Sequence, residues 1–120
     1  MLATISVVVV LLVAMLHGYF LVLEMFLWDK PAGLRAFGQS KERAAATKVL
    51  AANQGLYNGF IAAGLLWGVI QGAAGYEFKL YFLSCVVVAG VYGAVTASRR
   101  ILYVQALPGL LGLLLVLFSR

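Results

Sequence analysis

Seven side chains carry hydrogen-bonding or ionisable groups into otherwise apolar surroundings: His17, Glu24, Asn53, Gln54, Tyr57, Asn58 and Gln105. His17 and Glu24 are separated by seven residues, which returns them to nearly the same face of a helix. An imidazole and a carboxylate on one face can move a proton, hold a cationic group or contribute to a metal site. Asn53 and Tyr57 are one helical turn apart, as are Gln54 and Asn58, so amide and hydroxyl groups rise together along a second helix. Groups of this kind can orient a ligand. They can equally hydrogen-bond one helix to another, for about 0.6 to 2 kcal/mol each inside a membrane.

The elements that must position these residues follow from composition. Of the 120 residues, 64% are hydrophobic and 11% charged, where soluble domains run at about 45–50% and about 25%. The 13 charged residues leave uncharged runs at 1–23, 49–76, 80–98 and 101–119, each long enough to cross a bilayer as a helix. A soluble enzyme, a nucleic-acid-binding module and a disordered tail are thereby excluded. The expected architecture is all-α: one integral membrane domain over 1–120, an antiparallel four-helix bundle with spans at about 5–28, 48–71, 80–98 and 101–118.

Charge placement orients the spans. Lys30, Arg35, Lys41, Arg43 and Lys48 fall between the first and second runs, and Arg99 and Arg100 between the third and fourth. Alternate connections share one side of the membrane, so the seven cations mark residues 29–47 and the 99–100 turn as cytoplasmic and put both termini outside. Topology also explains the net charge of +5, with the lipid bilayer rather than nucleic acid as partner. A signal peptide fits residues 1–23 poorly, since no Lys or Arg precedes the apolar stretch and no small-residue cleavage site follows it. Residue 1 is expected to remain in the mature chain.

Depth along each helix can be counted from the inner interface, marked by Trp28 and Lys48, at about 1.5 Å per residue. Glu24 then lies about 6 Å deep and His17 about 16 Å; Asn53 lies about 8 Å deep and Asn58 about 15 Å. Matching depths would place Glu24 beside Asn53, Gln54 and Gln105, and His17 beside Tyr57 and Asn58. Two uses of that cluster remain open: hydrogen bonding that fixes one bundle arrangement, or a polar cavity open to the cytoplasm. Metal binding is the weakest option, because a lone His, a lone Cys85 on another helix and a single carboxylate inside the spans cannot complete a site without subunit sharing. No cofactor is expected.

Ser40 has the chemistry of a helix N-cap, with Glu42 in the first turn where the helix dipole favours an acid. The second helix is accordingly expected to begin near Lys41. Trp67, Tyr76, Phe78, Tyr81 and Phe82 mark an outer aromatic belt. Pro108 leaves the Val104 carbonyl without its usual donor and should bend the fourth span. Glycines four apart at 55 and 59 and at 64, 68 and 72 allow helix backbones to approach closely, within one chain or in a homo-oligomer.

The segments His17, Glu24-Met25-Phe26-Leu27-Trp28, Phe37-Gly38, Asn53-Gln54-Gly55-Leu56-Tyr57-Asn58-Gly59-Phe60 and Ala62-Ala63-Gly64-Leu65 resemble a family of small bacterial four-helix membrane proteins grouped as domain of unknown function 1304. The resemblance spans essentially the whole chain. It implies a multi-pass inner-membrane location and no particular activity. The small multidrug-resistance transporters share the four-span plan and a Glu in the first span, but their dual-topology members need nearly balanced charges. The membrane-associated proteins of eicosanoid and glutathione metabolism have an Arg/Asn/Glu-containing second helix, which Asn53 and Asn58 match only in part.

From the residues, the first expectation is a protein that binds or transports a small polar or amphipathic molecule, a lipid among the ligands it could take, with Glu24 taking up a proton or cationic group and His17 relaying the proton. A second is a membrane enzyme on a lipid-like substrate, with His17 as general base and Tyr57 or Asn58 polarising the substrate. No nucleophile elbow, phosphate loop or metal motif accompanies it. A third is a small structural subunit of a membrane complex.

Overall fold

Helix begins at the second residue and is interrupted only where proline, glycine or charge requires it. In the computed structural model, which describes residues 1–120, the chain is helical almost throughout and contains no strand. Helix α1 spans Leu2–Met25, α2 Pro31–Phe37, α3 Lys41–Ile70, α4 Tyr76–Thr96 and α5 Leu107–Phe118, with a 3-10 turn at Gly72–Gly75 and a π-helical turn at Leu102–Ala106. Two stretches, Leu2–Met25 and Gly72–Thr96, are long and apolar enough to cross a membrane by length and composition, and Leu102–Phe118 is a shorter apolar helix. Two of the four expected spans meet this criterion. In α3 the amide side chains Asn53, Gln54 and Asn58 interrupt the apolar run.

The contacts divide the chain into two compact units, one of residues 15–62 and one of residues 1–14 with 63–120. In the first, α1 ends as the Leu27 N–H reaches back to the Val22 carbonyl at 3.2 Å. Lys30 is extended, and Pro31 occupies the first turn of α2, where its fixed φ and missing N–H cost nothing. Gly38, at φ 58° and ψ 45°, ends α2 in the left-handed region, with the Gln39 N–H closing onto the Leu34 carbonyl. Helix α2 lies inside the segment expected to be an open loop. Seven residues are too few to carry a recognisable hydrophobic period, and Asp29, Lys30 and Pro31 read as a stop.

Ser40 then caps α3: its Oγ accepts the Arg43 backbone N–H at 3.2 Å, with Glu42 in the first turn, as the sequence suggests. The end of α1 and the turn after it meet α3 in antiparallel order, Glu24 inside α1 reaching further along α3 than Trp28 and Asp29 beyond its end. Trp28 meets Thr47, Asp29 meets Lys48, and Glu24 meets Asn58.

In the second unit α4 and α5 are antiparallel neighbours joined across Ser98–Arg100, where the Ser98 Oγ accepts the Arg100 N–H. Their seam is built on glycine: Gly90 faces the Ala106 backbone, Gly109 faces Val86, and Gly112 faces Leu83. A Cβ on Gly90 would come within 2.8 Å of the Ala106 nitrogen, so the approach is between backbones. Pro108 is accommodated by the π turn before it. The Leu107 N–H reaches the Leu102 carbonyl, five residues back, shifting the hydrogen-bond register just ahead of the residue that cannot donate. Of the expected outer aromatics, Trp67, Phe78 and Tyr81 are exposed, Phe82 lies against Gly64, and the Arg120 guanidinium sits 4.1 Å from the Tyr76 ring.

Candidate functional site

On α1 the buried positions Ser6, Val10, Val13, His17 and Glu24 fall three, four or seven residues apart, the spacing of a single helical stripe. His17 is fully buried and Glu24 is 5% exposed. The two therefore share the inward face, as their seven-residue separation implies. The His17 ring stands edge-on to Phe20, with centroids 5.5 Å apart.

The facing stripe of α3 in the same unit is Ala44, Ala51, Gly55, Asn58 and Ala62, again at steps of three, four and seven, with all but the half-buried Asn58 buried. Gly55 is covered by Met25, Glu24 and Leu21, and Gly59 by the end of the Leu21 side chain. This is the close approach expected of glycines four apart. It brings the Asn58 amide to the carboxylate: Asn58 Nδ2 donates to Glu24 Oε1.

Glu24 therefore pairs with Asn58, not with Asn53 and Gln54 as depth matching suggests. Depth counting omits rotation. Gln54 falls at the edge of the 51, 55, 58, 62 stripe, Asn53 and Tyr57 fall well outside it, and all three are exposed. Asn53 donates to the Val49 carbonyl one turn back on its own helix, and Tyr57 packs edge-on to Phe60. Gln105 belongs to the other unit, where it donates to the Val86 carbonyl at 3.3 Å. No cluster of three His, Cys, Asp or Glu side chains is arranged to hold a metal ion; Cys85 is half-buried and free.

Next to the Glu24–Asn58 pair, at the end of α1, lies a junction that the sequence reading did not identify. Trp28 Nε1 donates to Thr47 Oγ1 at 3.1 Å, and Lys48 Nζ to Asp29 Oδ2 at 3.1 Å. The Lys48 ammonium, chiefly through that hydrogen bond, holds the Asp29 carboxyl below the usual carboxylate range. Trp28 also packs on Phe37 of α2, with centroids 4.8 Å apart. The available signal was the juxtaposition of two adjacent dipeptides, Trp28-Asp29 and Thr47-Lys48, at one common separation. An open groove of about 390 Å³ lined by Met25, Lys48, Val49, Ala52, Asn53 and Leu56 runs beside the junction.

Comparison with known proteins places these residues in context. A family model described as protein of unknown function (DUF1304) matches residues 11–117, which includes every residue of the pair, the junction and the groove. The chain is 30% identical over 111 residues to a protein of Lactococcus lactis subsp. lactis (strain IL1403) described as uncharacterized protein YpaA, covering 91% of this chain and 93% of that one. No solved structure matches.

Proposed function

The chain belongs to the DUF1304 family, and from that premise we propose that it is a multi-pass inner-membrane protein that binds or transports a small amphipathic molecule through Glu24. Support for the membrane setting comes from the apolar stretches Leu2–Met25 and Gly72–Thr96 and from the cations gathered in residues 29–48 and 99–100. On this reading the four spans form one bundle, the basic segments face the cytoplasm and both termini face outward.

The observation that carries the functional reading is the buried Glu24 carboxylate held by the Asn58 amide. An acid in the apolar interior of a membrane is costly, and such residues concentrate where a proton or cation is handled. Asn58 occupies one carboxylate oxygen; a carboxylate can accept at both. On this reading His17, two helical turns away on the same buried stripe, relays the proton to or from the cavity.

A hydrophobic carbodiimide, which modifies intramembrane carboxyls, tests the assignment on purified protein, with the lipophilic cation tetraphenylphosphonium as competitor. Modification at Glu24 that tetraphenylphosphonium suppresses is the expected result. Modification that the cation leaves unchanged would instead assign Glu24 and Asn58 to helix packing alone.

A further inference from the structure

Within residues 15–62 the groove beside the Trp28–Thr47 junction has an uneven distribution of polarity. Met25, Val49, Ala52 and Leu56 give it apolar walls, and Lys48 stands at one end. One N–H of Asn53 is taken by the Val49 carbonyl. The Lys48 side chain is 56% exposed and gives one hydrogen bond to Asp29, which leaves two of the three ammonium donors for another acceptor. Seven residues earlier on α3, Lys41 returns to the same face, with the exposed Ala45 between the two cations. Read along the helix, this strip is Lys41, Ala45, Lys48, Val49, Ala52, Leu56: cations first, then an apolar track. Of the nearby acids, Asp29 is engaged by Lys48 and flanked by Lys30, and Glu42 points about 100° away from Lys41. The change from cationic to apolar comes at the level of Trp28, a residue type enriched where headgroups meet hydrocarbon.

We propose that this groove is a binding site for one anionic phospholipid, whose acyl chain lies along Val49, Ala52 and Leu56 and whose phosphate lies between Lys41 and Lys48. An acyl chain matches the apolar walls, and a phosphate complements two cations on one helix face. The proposal rests on the reading of the chain as a membrane protein, not on the role of Glu24.

Native mass spectrometry of the full chain, extracted in neutral detergent and mixed with equal amounts of phosphatidylglycerol and phosphatidylcholine, tests it. Phosphatidylglycerol should be retained in preference. Lys41→Gln, which leaves the Asp29–Lys48 pair in place, and Lys48→Gln should each weaken that preference about fivefold. Ala52→Trp, which fills the groove from a half-buried position of its wall, should abolish retention while far-ultraviolet circular dichroism remains that of the parent. Equal retention of the two lipids, variants that retain phosphatidylglycerol unchanged, or displacement by glycerol phosphate at the same concentration as by lipid would each overturn the site. Recovery of the chain from the soluble fraction without detergent would instead overturn the membrane reading beneath it.

Discussion

Glycine permits close approach in both units, against backbone at some positions and side chains at others, but only the seam between α1 and α3 also holds a buried acid. In the unit of residues 1–14 and 63–120, Gly75 faces the Gly68 carbonyl and Gly90 faces the Ala106 backbone. Backbone cannot step aside as a side chain can, so an added Cβ at these positions forces a shift of the chain. In the unit of residues 15–62, Gly55 and Gly59 face mainly the side chains of Leu21 and Met25, and the same seam carries Glu24 and Asn58. In one region the only polar side-chain contact described across the seam is the neutral Gln105 amide on the Val86 carbonyl. The other combines close approach with a buried carboxylate, as expected where a polar group must be held without solvent.

That contrast predicts its largest effect for Gly75→Ala, whose new Cβ would lie 1.8 Å from the Gly68 carbonyl oxygen. A loss of about 3 kcal/mol is expected, measured as thermal unfolding in detergent. Gly59→Ala meets only the movable end of Leu21 and should cost less than about 1 kcal/mol. Equal costs for the two would erase the distinction between the units.

Next in size is Glu24→Ala, which strands the Asn58 amide and should cost about 2 kcal/mol. Glu24→Gln keeps an oxygen for Asn58 to donate to, and should cost under about 1 kcal/mol. A double-mutant cycle with Asn58→Ala sharpens the point: the expected coupling is about 0.6–2 kcal/mol, and additive losses would show that the two side chains act independently.

Gln105→Leu should have a smaller effect, about 0.5 kcal/mol, because the Val86 carbonyl already accepts within α4 and loses only an extra donor. A loss above about 2 kcal/mol would mean that this unit depends on a polar contact as much as the other does.

The smallest effect belongs to the exposed Asp29–Lys48 pair. The folded Asp29 carboxyl titrates below its ordinary value, so its contribution is present above about pH 4 and is lost as pH falls through the lowered value. Acidification should therefore destabilise the parent more than Asp29→Asn, and added salt should shrink the difference. A larger acid sensitivity in the variant would reverse the assignment.

The helical class, the Ser40 cap, the start of α3 at Lys41 and the shared face of His17 and Glu24 were legible because each depends on local chemistry or on spacing along one helix. The partner of Glu24 was not. Choosing between Asn53, Gln54 and Asn58 requires the rotation of α3, and rotation is decided by the small residues Ala51, Gly55 and Ala62, whose lack of bulk turns that face inward. Helix α2 was hidden for a different reason: it is one short element between a Pro start and a Gly stop, held to the turn after α1 by Phe37 on Trp28 and by Gly33, where a Cβ would come 2.0 Å from the Leu27 carbonyl oxygen.

Calorimetric titration of the purified protein with tetraphenylphosphonium between about pH 5 and pH 8, in the parent and in Glu24→Gln, bears most directly on the role assigned to Glu24. The parent should bind with an affinity that changes across this range, and the variant should lose both the binding and its pH dependence. Identical profiles in the two proteins would contradict it.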